Sequence, residues 1–221
     1  MRLDVVPNGE PPNLRTPGRT ALVRRGLALN WLTIAYNVVE AVVAIGAGVT
    51  AGSVALLGFG LDSVIEVTAS GAAQWRLRAD FELERRARVE RTTHRIIGWS
   101  FLALALYVVV DGAKALLSRE PPERSVVGLM LLALSAMVMP VLARAKRRVA
   151  REMSSRALDA EATQTSLCAY LSVIALAGVA LNAAFGWWWA DPVAALAMVP
   201  IIAREGVEGV RGEAHCDDEC C

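Results

Sequence analysis

The chain has 221 residues, of which 55% are apolar and 20% charged, and its mean hydropathy of +0.41 excludes an ordinary soluble domain. Its 23 basic and 22 acidic residues nearly cancel, which argues against a partner such as nucleic acid. The charges fall into short blocks between apolar runs of roughly 20 residues, the length that crosses a bilayer. The sequence therefore predicts an all-α, polytopic membrane protein.

Six transmembrane helices are predicted in chain order. A proline-rich leader, residues 1–26, is predicted to be disordered, residues 27–204 form the transmembrane domain, and residues 205–221 form a short tail. The apolar part of the fifth span begins near Ser166. The predicted spans are Leu27–Val49, Ser53–Trp75, Ile96–Leu117, Val126–Ala143, Ala157–Phe185 and Trp188–Ala203.

Basic residues are concentrated on one side of the predicted membrane. They lie in the leader, in the connection between the second and third spans, and in that between the fourth and fifth, whereas the other connections carry little net charge. The positive-inside rule then places both termini in the cytoplasm. Topology explains these arginines without a nucleic acid, and anionic lipid is their predicted partner.

Asp62 and Glu66 lie four residues apart in the second predicted span, which is otherwise almost entirely apolar. On a helix this spacing places both carboxylates on one face, so that they can converge on a single cation or proton. Ionisable groups in a spanning helix are costly, which makes function their default interpretation. A pair that reaches the headgroups is disfavoured, because Glu66 lies roughly 20 Å from Ser53 along a helix that rises ~1.5 Å per residue.

A faint internal repeat relates the second and fifth spans. A constant offset aligns Asp62 with Gln164 and Glu66 with Cys168, and small residues precede both polar pairs. Small residues permit close helix contact in a membrane, so the two pairs could face one another and supply four ligands. The alternative is that Gln164 is an interhelical hydrogen-bonding amide and Cys168 a buried, apolar thiol.

Two further acidic residues lie within the predicted spans. Glu40, in the first span, could relay protons or line the cation path, or it could form an interhelical hydrogen bond as a protonated carboxyl. Glu161, toward the cytoplasmic end of the fifth span, is a candidate entry group for cations.

The C-terminal tail contains a second cluster of metal-binding residue types. Three cysteines and a histidine on the reducing cytoplasmic side could chelate a soft metal and pass it to the transport site. Their spacing is not that of a zinc finger, and an acidic, disordered end is the alternative. The residues are His215, Cys216, Cys220 and Cys221.

The chain resembles the cation diffusion facilitator family of divalent-metal transporters. The resemblance is carried by Gly52-Ser53-Val54-Ala55-Leu56-Leu57 and Asp62-Ser63-Val64-Ile65-Glu66, by Ala160-Glu161-Ala162 with Gln164 and Cys168, and by Gly186 with Asp191-Pro192. It covers the whole membrane region in order. In that family the second and fifth helices together bind the transported metal, which by position implies the ligands Asp62, Glu66, Gln164 and Cys168.

The departures from the family pattern concern the metal and the C-terminal region. No histidine lies in a predicted span, so the usual set of two histidines and two aspartates is missing, and no cytoplasmic metal-sensing domain is expected after Glu205. The chain is most similar to the truncated, bacterial-type branch of such carriers. The resemblance implies a multi-pass protein of the plasma (inner) membrane and a homodimer.

The donor set favours zinc as the transported ion, with cadmium, manganese, iron or cobalt as alternatives, because it mixes hard oxygens with a soft thiol. Ligands must lose protons to bind metal, so loading a cation would release protons. No ATP-binding motif is present. We therefore expect efflux by proton antiport with alternating access, and no permanently bound cofactor.

Three other classes of protein are alternatives to a metal carrier. A non-transporting membrane sensor or partner subunit could keep the fold with a degenerate site. A small multidrug exporter should line its cavity with aromatic residues, whereas here aromatics cluster at the span ends. An enzyme is disfavoured, because the sequence contains no Ser/His/Asp or Cys/His constellation.

Overall fold

The computed structural model describes residues 17–78, 83–119, 121–153 and 156–211, and these residues form six α-helices and no strand. The predicted all-α class is confirmed. The helices are α1 (Pro17–Ala51), α2 (Val54–Arg78), α3 (Leu83–Ser118), α4 (Val126–Met153), α5 (Arg156–Phe185) and α6 (Ala190–Arg211).

Five of these helices are long and apolar enough to cross a bilayer, which confirms a polytopic membrane protein. Helix α6 is not among these five. Asp191 and Arg204 leave only residues 192–203 of this helix without a charge, which is short for a membrane span. The crossing of α6 therefore stays a prediction. The five candidate spans are Arg24–Ala51, Val54–Gly71, Arg95–Ser118, Val126–Glu152 and Glu161–Phe185.

Several helices extend beyond the predicted spans. The first helix begins at Pro17, inside the predicted leader, and α4 continues past its predicted end at Ala143 to Met153. Charged residues marked the predicted ends, but Val149 and Ala150 are still buried and continue the packed face of α4. Helix α6 likewise runs into the predicted tail, to Arg211. Residues 1–16 and 212–221, which include the rest of the leader and tail, lie outside the described part of the chain.

Short connections bring three pairs of helices together at one end of the bundle, which we call the hairpin end (residues 52–53, 119–125 and 186–189). Gly52 and Gly186 follow the last residues of α1 and α5 with φ of 63° and 68°, a conformation that glycine adopts without strain. The backbone NH of Glu123 donates to the carbonyl of Ala51 at 2.8 Å, which joins two of the connections. We call the opposite end, where α1 begins and α6 ends, the terminal end.

Helix α2 lies at the centre of the bundle and contacts α1, α3, α5 and α6. Near the hairpin end its Leu56 and Phe59 are fully buried in an apolar core with Val108, Leu132 and Met198. Large apolar side chains on the outside of the bundle are exposed, as expected of surfaces that face lipid tails. They include Val42, Trp99, Leu106, Met130, Met137 and Tyr170.

Glycines permit close helix contact between α3 and α6. A Cβ added at Gly98 would lie 2.5 Å from the backbone nitrogen of Val210, and one at Gly206 would lie 2.8 Å from the Leu102 side chain. Neither position leaves space for a side chain. Small residues at such crossings are typical of membrane helices, whose association depends on close van der Waals packing.

Asp191 connects the start of α6 to the start of α2. Its carboxylate accepts hydrogen bonds from the Ser53 hydroxyl at 2.6 Å and from the backbone NH of Val54 at 2.9 Å. The first NH groups of a helix have no partner within the helix and carry a partial positive charge, so a buried carboxylate satisfies both the donors and the dipole. This contact fixes the position of the helix that carries Asp62 and Glu66.

We expect Asp191→Ala to lower the free energy of unfolding by about 2 kcal/mol, because it leaves the buried Ser53 hydroxyl and NH groups without their acceptor. Asp191→Asn retains one acceptor oxygen and should recover part of the loss. The measurement is thermal unfolding in detergent, with Asp159→Ala, an exposed acidic residue in the first turn of α5, as the control. Equal midpoints for the Asp191 and Asp159 variants would contradict this role.

Candidate cation site

Apart from Ser53, Asn182 and Asp191 near the hairpin end, the buried polar side chains of the described residues occupy the half of the bundle nearer the terminal end. They recur at helical spacing on α1, α2, α4 and α5, so each of these helices turns a polar stripe inward. The hairpin half of α2 is apolar on the same face. The stripes consist of Asn30, Thr33, Asn37 and Glu40 on α1; Asp62, Ser63, Glu66, Ser70 and Gln74 on α2; Ser135 and Lys146 on α4; and Glu161, Thr165, Cys168 and Ser172 on α5.

Asp62 and Glu66 are buried inside the protein, with only 3% and 1% of their surfaces exposed. Both lie on α2 and face its neighbours rather than lipid or water. Neither carboxylate oxygen of Glu66 accepts a hydrogen bond of ordinary geometry from a described residue, and the weak donor that lies beside them is the Cys168 thiol. A carboxylate in that setting is costly unless a proton or a cation compensates it.

Besides Asp62, four side chains lie within electrostatic range of Glu66. They are the ammonium of Lys146, the thiol of Cys168, and the carboxylates of Glu161 and Glu40. Asp62 in turn lies within electrostatic range of Glu66, Glu40 and Glu205. Five carboxylates, including Glu161, therefore share this region with a single described ammonium, and this excess of negative charge suits a divalent cation.

Glu40 is hydrogen-bonded to three other helices. Its carboxylate accepts from the Ser63 hydroxyl of α2 at 2.9 Å, from the Ser135 hydroxyl of α4, and from the Cys168 thiol of α5 at 3.8 Å. Glu40 thus lies beside a predicted ligand, and it also makes the interhelical hydrogen bonds that were its alternative role. Whether it relays protons or lines the path stays a prediction.

The two predicted ligands on α5 differ in their surroundings. Cys168 is buried and free of any disulfide, and its thiol contacts Glu40. Gln164 is partly exposed, and no hydrogen bond joins it to another described residue. The structure therefore brings Cys168 toward the acidic pair more clearly than it brings Gln164.

The four predicted donors do not form a closed coordination sphere. Within residues 17–78, 83–119, 121–153 and 156–211, no three His, Cys, Asp or Glu side chains are grouped closely enough to hold a metal ion. The assignment of Asp62, Glu66, Gln164 and Cys168 as ligands thus stays a prediction that requires side-chain or helix movement. The tail residues His215, Cys216, Cys220 and Cys221 lie outside the described part of the chain.

Lys146 is the residue that sequence reasoning missed, because it was counted among the basic residues that set topology. Its side chain is fully buried, and its ammonium donates to the Thr165 hydroxyl at 3.1 Å and pairs with Glu161 at 3.5 Å. The signal in the sequence was periodicity, since Lys146 continues the spacing of the buried residues on α4. That face consists of Leu132, Ser135, Met139, Leu142, Ala143, Lys146, Val149 and Ala150.

Glu161 was predicted as an entry group for cations, and its position agrees with that prediction without testing it. Besides Lys146, it accepts a hydrogen bond from the Ser70 hydroxyl at 2.9 Å. Asn30 extends the polar contacts toward the terminal end by donating to the Gln74 side chain at 2.9 Å. A continuous series of polar side chains therefore leads from the terminal end to Glu66.

Residues 31–211 match the cation efflux transmembrane domain family. The chain belongs to the cation efflux family. The resemblance to cation diffusion facilitators is thereby confirmed, and with it a role in metal cation transport. No curated protein matches the chain. In this cation efflux protein the charged and polar stripes, apart from Asn30, lie within the matched region, so they belong to the transport domain.

We expect Glu40→Leu to destabilise the protein by about 2 kcal/mol, because the buried Ser135 hydroxyl loses its acceptor. Adding Ser135→Ala should remove that penalty, so the two substitutions should be non-additive by roughly 1 kcal/mol in a double-mutant cycle. The measurement is thermal or denaturant unfolding in detergent, with Ser100→Ala, at a partly exposed serine within α3, as the control for Ser135→Ala. Additive effects of Glu40→Leu and Ser135→Ala would contradict the contact.

Proposed function

We propose that this cation efflux protein exports a divalent metal from the cytoplasm in exchange for protons, with Asp62 and Glu66 as the central ligands. The observation that carries the proposal is the Glu66 carboxylate. Glu66 is only 1% exposed, and its carboxylate accepts no hydrogen bond of ordinary geometry from a described residue. It lies one turn from a second buried carboxylate on a membrane helix. Such an arrangement is poor for stability alone and well suited to binding a cation.

Charge balance supports proton exchange. Without metal, a buried carboxylate that lacks a strong donor is stabilised by carrying a proton. A divalent cation that binds Asp62 and Glu66 requires both to be ionised, so up to two protons leave as two positive charges arrive. When the metal departs, protons return to the same oxygens. The site therefore exchanges metal for protons without any further group.

The distribution of polar and apolar residues supports alternating access. Polar stripes connect Glu66 with the terminal end, whereas Leu56 and Phe59 close the hairpin side of the same helix face. In this arrangement a cation would enter from the terminal end and wait for a helix movement that opens the hairpin side. Rearrangement of α2 against α5 would also bring Cys168, and Gln164 if it is a ligand, to the metal.

The orientation and surroundings follow from the basic residues. Exposed arginines lie near the terminal end, at Arg24, Arg25, Arg144, Arg148 and Arg151. We place this end in the cytoplasm, facing anionic lipid, with α6 as the sixth span and both termini inside. The plasma (inner) membrane and a homodimer are proposed on the grounds of family resemblance.

Zinc is the first candidate for the transported ion. Asp62 and Glu66 offer hard oxygens, while Cys168 offers a soft sulfur that favours zinc or cadmium over magnesium or calcium. Manganese, iron and cobalt are the alternatives if Cys168 does not bind. The tail cysteines and His215 are proposed to capture a soft metal and pass it to the transport site.

We expect the purified protein in liposomes to move zinc with an opposing flow of protons, measured with a zinc dye and a pH dye across imposed gradients. Asp62→Asn and Glu66→Gln should each reduce flux at least tenfold, and the pair together should abolish it, because they remove the ionisable oxygens. Cadmium, manganese, iron and cobalt are compared in the same assay.

The matched control is Glu152→Gln, which neutralises an exposed carboxylate on α4 and should leave flux unchanged. Silence for every metal, in wild-type protein with a normal unfolding transition, would contradict transport and favour the non-transporting sensor or partner subunit. Metal flux without proton movement would contradict the exchange for protons but not the transport of metal.

A further inference from the structure

Lys146 and Glu161 form a buried ion pair between the terminal end and the predicted metal site. The Lys146 ammonium lies 3.5 Å from the Glu161 carboxylate, and the Lys146 side chain is 0% exposed. Glu161 also accepts from Ser70 of α2, which is one turn beyond Glu66. The pair thus joins α2, α4 and α5 at the point that a cation would pass before it reached Glu66.

The ammonium of Lys146 also lies within electrostatic range of Glu66. It donates one hydrogen bond to the Thr165 hydroxyl, so α5 helps to hold it in place. Burying a lysine is costly unless an acceptor and an opposite charge compensate it, and here Glu161 and Thr165 supply both. Lys146 consequently occupies, as a fixed positive charge, the region that an incoming metal must share.

Lys146 opposes the binding of a divalent cation near Glu161 in two ways. The cation is attracted by the Glu161 carboxylate, but it must displace the ammonium that already binds that carboxylate. It is also repelled by the same ammonium in a region of low dielectric, where like charges interact strongly. Both effects weaken metal binding, and both depend on the charge of Lys146.

We propose that Lys146 is a tethered competitor of the transported cation, which holds Glu161 in the metal-free state and yields it as the metal enters. The pair then sets the affinity for metal: Glu161 is an entry group, and Lys146 keeps binding weak enough for release. This inference rests on the proposed function. It assigns to Lys146 a role in metal binding, in addition to that of a basic residue that orients the protein in the membrane.

An ion pair with a purely structural role makes a different prediction. If Lys146 and Glu161 only connect helices, removing either charge lowers stability and the two neutral variants have similar kinetics. If they control metal entry, the two substitutions shift the metal concentration dependence in opposite directions. The sign of the change in KM therefore distinguishes the two roles.

The test measures KM and kcat for zinc flux in liposomes that contain the full chain. Lys146→Gln should lower KM by about tenfold, because it removes the competing charge, and Glu161→Gln should raise KM by about tenfold. The double variant should return KM to within about threefold of wild type, since competitor and entry group are lost together. Arg147→Gln is the matched control, because this neighbouring side chain is only partly buried and bonds to Ser166 on α5.

Unchanged KM in folded Lys146→Gln, or changes of the same sign in both single variants, would overturn the inference while leaving transport intact. If Lys146→Gln does not fold, the double variant Lys146→Gln/Glu161→Gln, which leaves neither charge of the pair buried alone, is compared with Glu161→Gln: a lower KM in the double variant supports the proposal, and an equal or higher KM overturns it. Wild-type protein without flux would instead overturn the proposed function, and this inference with it.

Discussion

A carboxylate buried without a strong hydrogen-bond donor is the constraint on which the rest of this structure depends. Glu66 is enclosed by α2 and its neighbours, and water cannot compensate its charge there. The free-energy cost of that charge falls when a proton or a metal ion binds. Burial that destabilises the empty, ionised carboxylate therefore favours the exchange of a proton for a metal ion at the same oxygens. Nearby groups adjust this balance: Asp62 and Glu40 add negative charge, and Lys146 offsets part of it.

The remainder of the fold holds this region between a polar half and an apolar half. Asp191 fixes the start of α2 from α6 at the hairpin end, where Leu56 and Phe59 seal the bundle. Toward the terminal end, side-chain hydrogen bonds and the Lys146–Glu161 ion pair join the helices beside the smaller apolar cluster of Val149, Ala150 and Leu158. Polar contacts of this kind can be exchanged for contacts with a cation, whereas the apolar contacts require the helices to move.

The sequence was sufficient to predict the helices and the acidic pair, because both follow from local patterns. Apolar runs give the spans, and the spacing of Asp62 and Glu66 places them on one helix face. Lys146 was missed because charge composition suggested a solvated cytoplasmic end, whereas the tertiary contacts with Glu161 and Thr165 keep it buried. For the same reason, the end of α4 lay beyond its prediction. Cys168 is buried whereas Gln164 is partly exposed, and this difference also depends on packing between helices. The alignment of the second and fifth spans does not describe that packing.

The most direct test of the central claim is X-ray absorption spectroscopy of the zinc-loaded, full-length protein. We predict a first shell dominated by oxygen with one sulfur, in which the oxygen contribution is lost in the Asp62→Asn/Glu66→Gln double variant and the sulfur in Cys168→Ala. A spectrum rich in sulfur and nitrogen that is unchanged by these substitutions would contradict the account. It would place the bound zinc at the cysteines and histidine of the tail, and not among the buried carboxylates.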